Sequence, residues 1–271
     1  MSPLAPLADT FEAPSPLDFL LSDFTGKHYN ANGYQVLLTK SSALLLLAAI
    51  LAFGLLFSAA RKGRVVPSKG QFLGEQAYDF VRNGIARDII GERDFLRYVP
   101  LLVSLFFFVL VNNLFGIIPV LQFAPFSRFS FALGLALLVW IIYNAVGIMD
   151  KGFVGYLKHA TVPAGVPVWI LPLLIPLEFL SNIIIRPVTL SLRLFANMFA
   201  GHLLLILFST GGAYLILHGT GAVYVQKPAG ILSYALGIGV GFLEVIVAVL
   251  QAYVFALLTA QYIAGSLASE H

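Results

Sequence analysis

The sequence has no cysteine among its 271 residues, and only 11% of its residues are charged. Without thiols, disulfides, iron–sulfur clusters and thiolate metal sites are excluded. The low charge excludes an ordinary soluble enzyme, because soluble domains carry about 25% charged residues. The few cations form no basic stretch interleaved with aromatics, so nucleic-acid binding is also set aside. The sequence contains no Gly-rich phosphate loop, and we predict neither a cofactor nor a metal site nor catalysis by this chain.

Apolar residues are abundant instead: 59% of the chain is hydrophobic. Long stretches carry no charge at all, among them the one between Lys40 and Arg61 and the one between Arg97 and Arg128. Such stretches are long enough to cross a bilayer. We therefore predict an all-α integral membrane protein with five transmembrane helices and one interfacial amphipathic helix. The predicted segments are an external tail over 1–35, transmembrane helices over 36–60, 98–121, 129–149, 172–217 and 229–268, and cytoplasmic segments over 61–97 and 150–171.

The distribution of basic residues gives the predicted orientation. The first span is followed by a cationic cluster, which is typical of a cytoplasmic loop and places the acidic tail outside. The cluster consists of Arg61, Lys62, Arg64 and Lys69. Between Gln71 and Arg97, apolar residues recur at helical spacing with charged residues between them, which predicts an amphipathic helix. It lies on the lipid surface or meets a partner subunit.

The last two apolar segments are too long for upright crossings. A helix from Leu177 to Ser209 would run about 50 Å, whereas about 20 residues span the hydrocarbon core. The segment from Ala229 to Ala268 has the same excess. We predict two inclined helices that pack against a partner that their length alone does not identify.

Polar side chains interrupt the fourth span. They are Glu178, Asn182, Arg186, Arg193, Asn197 and His202. An ionisable group at mid-bilayer costs at least about 2.5–3.5 kcal/mol, so we predict that this set is functional. On a continuous helix Asn182, Arg186 and Asn197 lie within about 40° of Arg193, and His202 lies about 180° away. Arg186 lies near the proline-rich start of the fourth span. Instead of a functional role, it could therefore form an ion pair or extend its guanidinium to the membrane surface.

Arg193 needs a partner from elsewhere, because Glu178 lies about 22 Å away along one helix. Glu244 in the fifth span is one candidate, and an acid supplied by another protein is the other. A guanidinium does not deprotonate in proteins, so Arg193 can act only as a fixed barrier or counter-ion. His202 and Glu244 are the predicted proton carriers. Gln251 lies on the same helix face as Glu244. It either extends the polar stripe that Glu244 begins or makes a helix–helix hydrogen bond.

The stretch from Arg186 to His202, RPVTLSLRLFANMFAGH, closely resembles the signature helix of subunit a of bacterial F-type ATP synthases. The resemblance extends to Leu250–Phe255 in the fifth span, to the amphipathic segment, and to Asn113 followed by Ile117–Pro119 in the second span. The tail and the loops do not share it.

This resemblance implies a proton-channel stator of the Fo sector, working beside a rotating ring of c subunits and held by the b-subunit peripheral stalk. Arg193 would separate two half-channels and attract the ring carboxylate, with Asn197 and Gln251 nearby. His202 and Glu244 would line the half-channel open to the outside. Asn113 would share that path or serve only in packing.

The resemblance also implies that Glu178 and Asn182 lie near the cytoplasmic outlet, although family spacing varies there. It implies a large hetero-oligomer in the lipid of the bacterial plasma membrane.

Two other functions remain open at this stage. An ion-coupled secondary transporter would bind solute by itself, but the chain has no long internal repeat of the kind that many transporters show. A structural scaffold would tolerate replacement of Arg193.

Overall fold

We describe the fold from a computed structural model, which covers residues 40–61, 69–118, 124–162, 169–217 and 223–268. The predicted external tail, 1–35, lies outside the described residues. Within them every regular element is helical. The α-helices are α1 (Lys40–Arg61), α2 (Lys69–Val81), α3 (Asp88–Ile90), α4 (Phe95–Ile117), α5 (Phe129–Thr161), α6 (Leu171–Leu180), α7 (Arg186–Leu217) and α8 (Val223–Leu267).

Four helical stretches are long and apolar enough to cross a membrane, judged by length and composition. They are Phe95–Ile117, Phe129–Thr161, Leu171–Leu217 and Tyr224–Leu267. The apolar part of α1, Ser41–Phe57, is shorter. Many large apolar side chains lie exposed on these helices, as a lipid-facing surface requires. The predicted all-helical membrane fold is confirmed, while a fifth crossing by α1 stays a prediction.

The predicted amphipathic region contains two α-helices joined by a π-turn. The π-turn Arg82–Arg87 follows α2 directly and buries Ile85. Gly91, with φ of 94°, ends α3. There the guanidinium of Arg87 forms an ion pair with the Glu92 carboxylate, and this contact lowers the pKa of Glu92. Helix α4 then begins at Phe95, earlier than predicted, and ends at Ile117, because Ile118 is extended before Pro119.

Helix α5 continues beyond the predicted third span. Residues 150–171 are predicted as a loop, but the helix runs on to Thr161 with a break at Gly152. Gly152 adopts φ of 74°, which a glycine reaches without steric cost. The break turns the last helical turns back onto the helix, so that the Tyr156 hydroxyl donates to Asn144 Oδ1 at 2.9 Å. This segment lies beside the functional residues described below.

The two longest stretches differ from simple rods. A π-turn, Ser181–Ile185, joins α6 to α7, so the fourth span is not one continuous α-helix. Helix α8 begins at Val223 rather than at the predicted residue 229, and it includes Pro228 near its start. At 1.5 Å per residue both stretches far exceed the thickness of the hydrocarbon core.

Helix α8 packs against α4, α5 and α7. Four alanines at four-residue intervals form its buried ridge and are fully inaccessible to solvent. They are Ala248, Ala252, Ala256 and Ala260. Small side chains allow helix backbones to approach closely within a membrane. The ridge therefore holds α8 close enough to its neighbours for short polar side chains to reach across.

Candidate functional site

Arg193 lies on an exposed face of α7, next to the exposed Leu192. Among the described residues the only ion pair joins Arg87 and Glu92, so Arg193 has no carboxylate partner there. Glu244, one of the two candidate partners, packs elsewhere, against Gly201. An unneutralised guanidinium on an apolar helix is costly in lipid. The geometry therefore favours an acidic group from outside the chain.

One helical turn after Arg193, a hydrogen bond joins the two long helices. Asn197 Nδ2 donates to Gln251 Oε1 at 2.7 Å. Gln251 is buried, and its Nε2 has no hydrogen-bond partner within the described chain. Gln251 therefore makes the helix–helix hydrogen bond given above as its alternative, and its Nε2 remains an unsatisfied buried donor.

His202 lies on the buried side of α7, only 6% exposed. Its Nε2 accepts a hydrogen bond from the backbone N–H of Ala124 at 3.3 Å, in the turn after α4. Gly116 leaves room for the ring, because a Cβ there would lie 2.9 Å from Nε2. In the neutral ring the accepting Nε2 is unprotonated, which puts the proton on Nδ1.

The side chain of Glu244 lies across the backbone of Gly201, the residue before His202. A Cβ at Gly201 would overlap with Oε1 and lie 2.8 Å from Cδ of Glu244. The missing side chain thus brings a half-buried carboxyl of α8 onto the same turn of α7 that carries His202. This is an acid and a base at one helix crossing.

Asn113 is buried on α4, and its Nδ2 donates to the carbonyl of Ala248 on α8 at 3.4 Å. Ala248 lies one turn after Glu244. Asn113 Oδ1 has no partner within the described chain. The side chain therefore both packs and presents a buried acceptor.

A cavity of about 330 Å³ lies at the other end of the long helices. Its lining includes Tyr156, His159, Glu178, Asn182, Arg186 and Tyr262. The Arg186 guanidinium stacks over the Tyr262 ring at 5.2 Å, and no carboxylate of the described residues forms an ion pair with it. The Asn182 side chain donates to the Ala160 carbonyl at 2.6 Å. Glu178 and Asn182 thus line one cavity, apart from His202 and Glu244, and their place near the cytoplasmic outlet stays a prediction.

Imidazole, carboxyl and amide side chains of this kind can relay protons through bound water. Along the fourth span, Glu178 and Asn182 precede Arg193 and His202 follows it, while Glu244 of α8 packs against Gly201. Among the described residues no cluster of three or more His, Asp or Glu side chains could hold a metal ion.

Several residues around these groups were not singled out by the sequence. Gly116 and Gly201 provide space, and Tyr156 and Tyr262 line the cavity. The glycines gave no signal because their role depends on contacts with distant residues. The spacing of Trp140, Tyr143 and Asn144, which puts three polar tips on one helix face, could have pointed to the cavity side of α5.

The sequence matches the family described as ATP synthase A chain over residues 42–264. It is 54% identical over 267 residues to the ATP synthase subunit a of Nocardioides sp., covering 97% of this chain and 95% of that protein. It is 50% identical over 229 residues to the protein of the same name from Pseudarthrobacter chlorophenolicus, covering 84% and 85%. For the one from Streptomyces lividans the identity is 42% over 261 residues, covering 96% and 89%.

Proposed function

The chain belongs to the ATP synthase A chain family, and on that premise we propose that its residues pass protons through two half-channels separated by Arg193. The chain is the non-catalytic proton-channel stator subunit of the Fo sector and part of a multi-subunit complex. The family assignment confirms the resemblance seen in the signature helix. Neither the family match nor the relatives support the secondary-transporter alternative.

The observation that carries the proposal is the exposed Arg193 without a carboxylate partner among the described residues. A permanent positive charge in lipid attracts a carboxylate that can lose its proton there. A ring of c subunits, each with one membrane carboxyl, would provide such a group and move it past Arg193. Because guanidinium does not transfer protons, Arg193 would also prevent direct leakage between the half-channels.

We assign the outer half-channel to His202, Glu244 and Asn113. The Glu244 carboxyl lies against Gly201, the residue before His202, and Asn113 reaches α8 one turn after Glu244. A neutral imidazole and a carboxyl exchange protons through water near neutral pH. The free Oδ1 of Asn113 is a buried acceptor suited to binding such a water.

We assign the cytoplasmic half-channel to the cavity lined by Glu178 and Asn182. Its volume holds several water molecules, and Glu178 supplies a titratable oxygen there. Asn197, which lies between this cavity and His202 along α7, would orient Arg193 and the water around it together with its partner Gln251 on α8.

The surroundings follow from the same premise. We propose contacts with the c-subunit ring along the Arg193 face and with the b-subunit peripheral stalk elsewhere on the chain. We place the protein in the plasma membrane of a bacterium, since the relatives are bacterial.

Replacement of Arg193 tests the proposal in the assembled complex. We expect Arg193→Ala to assemble but to reduce ATP synthesis and ATP-driven proton pumping to background. Arg193→Lys should lose most activity as well, because an ammonium does not reproduce the planar guanidinium. Arg93→Ala, which removes an exposed guanidinium outside the long helices, is the control and should pump normally. Normal pumping by either Arg193 variant would refute the role, and coupled solute uptake by the isolated chain would restore the transporter alternative.

A further inference from the structure

The π-turn between α6 and α7 leaves one backbone carbonyl without a helical donor. In an α-helix the carbonyl of Asn182 would accept from the N–H of Arg186, four residues on. That N–H donates instead to Ser181 O, five residues back. The donor in the π register would be residue 187, but Pro187 has no N–H. The Asn182 carbonyl therefore receives a hydrogen bond neither from residue 186 nor from residue 187.

Two side chains of α5 replace the missing donor. The Tyr143 hydroxyl donates to Asn182 O at 2.9 Å, and Trp140 Nε1 donates to the same oxygen at 3.3 Å. The two residues lie one turn apart on α5, and Tyr143 is only 2% exposed. A carbonyl oxygen accepts two hydrogen bonds, so this pair satisfies it fully. An unsatisfied carbonyl at this depth would be costly.

The side chain of Asn182 is fixed as well. Its Nδ2 donates to Ala160 O, in the part of α5 that follows the Gly152 break. Backbone and side chain of one residue are thus held from two parts of α5. These hydrogen bonds to the backbone and the side chain of Asn182 stabilise the π-turn. They explain why the fourth span does not relax into a regular α-helix.

The π-turn determines which way Glu178 points. One extra residue in a helix rotates everything before it by about 100° relative to everything after it. Glu178 precedes the turn, and Arg193 follows it. Without the turn, Glu178 would be carried around the helix axis, away from the cavity that it lines with Asn182 and Arg186.

We propose that Tyr143 and Trp140 are positioning residues of the proton path, because their hydrogen bonds to the Asn182 carbonyl hold the π-turn that directs Glu178 into the cytoplasmic cavity. The importance of this for proton flux rests on the function proposed above for Glu178. The proposed effect on the orientation of Glu178 does not depend on that function.

The orientation is measured by thiol labelling, since the chain has no cysteine of its own. Glu178→Cys is labelled with a small hydrophilic thiol reagent in the assembled complex, with the other subunits also free of accessible cysteine. Adding Tyr143→Phe and Trp140→Phe should lower the labelling rate at residue 178 about fivefold, as expected when hydrogen bonds no longer favour the turn. Gly265→Cys, on the α8 side of the same cavity, should label at an unchanged rate. An unchanged rate at residue 178, or an equal fall at residue 265, would overturn the proposal.

Proton flux is measured separately, with Glu178 present. Tyr143→Phe should slow ATP-driven pumping severalfold at an unchanged amount of assembled complex. The matched control Tyr224→Phe removes a hydroxyl from a residue that is 95% exposed and should pump normally. If the variant with both Tyr143→Phe and Trp140→Phe fails to assemble, the labelling of Glu178→Cys is measured with Tyr143→Phe alone. The labelling rates at residues 178 and 265 then decide as before.

The outlet function of Glu178 and the positioning role of Tyr143 and Trp140 are tested by different outcomes. If Glu178→Gln pumps at the normal rate, the outlet function of Glu178 is wrong, while the labelling still decides whether the donor pair orients residue 178. If Glu178→Gln is slow and labelling at 178 does not respond to Tyr143→Phe with Trp140→Phe, the outlet stands and the positioning role is wrong.

Discussion

At the scale of single residues, Gly201 matters because of the atom it lacks. The Glu244 side chain occupies the space that a Cβ at this position would need. Alanine is the better helix former by about 1 kcal/mol, so a substitution here does not weaken α7 by its helix propensity. Any loss of function then reflects displacement of the carboxyl rather than unfolding.

We expect Gly201→Ala to reduce ATP-driven proton pumping severalfold, since Glu244 must move away from the turn that carries His202. The amount of assembled complex should remain that of the wild type. Gly239→Ala is the matched control, because no atom lies within 4 Å of a Cβ at that position. Equal pumping rates for the two variants would show that the position of the Glu244 carboxyl does not limit flux.

At the scale of elements, the proposed inlet depends on how α7 and α8 cross. His202 comes from one helix and Glu244 from the other, and neither helix provides both an acid and a base at this level. A pair that works as one relay should tolerate exchange of its members, because water can connect either arrangement.

We therefore expect the double variant His202→Glu with Glu244→His to recover part of the flux that each single change removes. Glutamate at position 202 can still accept from the Ala124 N–H, as the imidazole does. The readout is proton flux in vesicles containing the whole complex. A double variant no faster than the slower single variant would mean that the two residues act independently.

The order of the long helices was predictable from the charge-free stretches of the sequence. Arg193 could be singled out as a candidate site residue because a charged group in lipid costs free energy. The π-turn was not, because apolar periodicity assumes 100° per residue and contains no sign of one extra residue. The predicted 40° sector around Arg193 therefore fails for Asn182, which lies within the π-turn. Pro187 was the available signal, since it removes an N–H from the helix interior.

The helical turns after Gly152 were missed for a similar reason. Their charged residues resemble those of a cytoplasmic loop, and contacts with distant parts of the chain, α8 among them, hold these turns in place. Lys151 Nζ donates to Ser266 O at 3.0 Å, and His159 Nε2 lies 3.1 Å from Gly265 O. A cation such as Lys151 that meets the carbonyls at a helix C-terminus is favoured by the helix dipole. Sequence spacing cannot reveal a partner more than 100 residues away.

At the scale of the whole molecule, those same contacts constrain topology. Since Lys151 and His159 bind the end of α8, the end of α5 and the C-terminal end of α8 lie on one side of the membrane. From the positive-inside rule we propose that this side is cytoplasmic, and that the cationic cluster beginning at Arg61 faces the same side. With α1 as a fifth crossing, we expect the tail before residue 36 to lie outside.

Single cysteines at Ser22, Ser68 and Ser269 test this arrangement without interference, because the chain has no native cysteine. In intact cells an impermeant thiol reagent should label only Ser22→Cys, since the other two sites face the cytoplasm. All three should react after the cells are permeabilised, which controls for sites that are buried in the complex. Labelling at Ser68→Cys and Ser269→Cys but not at Ser22→Cys would invert the orientation. Labelling of Ser68→Cys and Ser22→Cys together in intact cells would mean that α1 does not cross the bilayer, leaving the four longer helical stretches as the only crossings among the described residues.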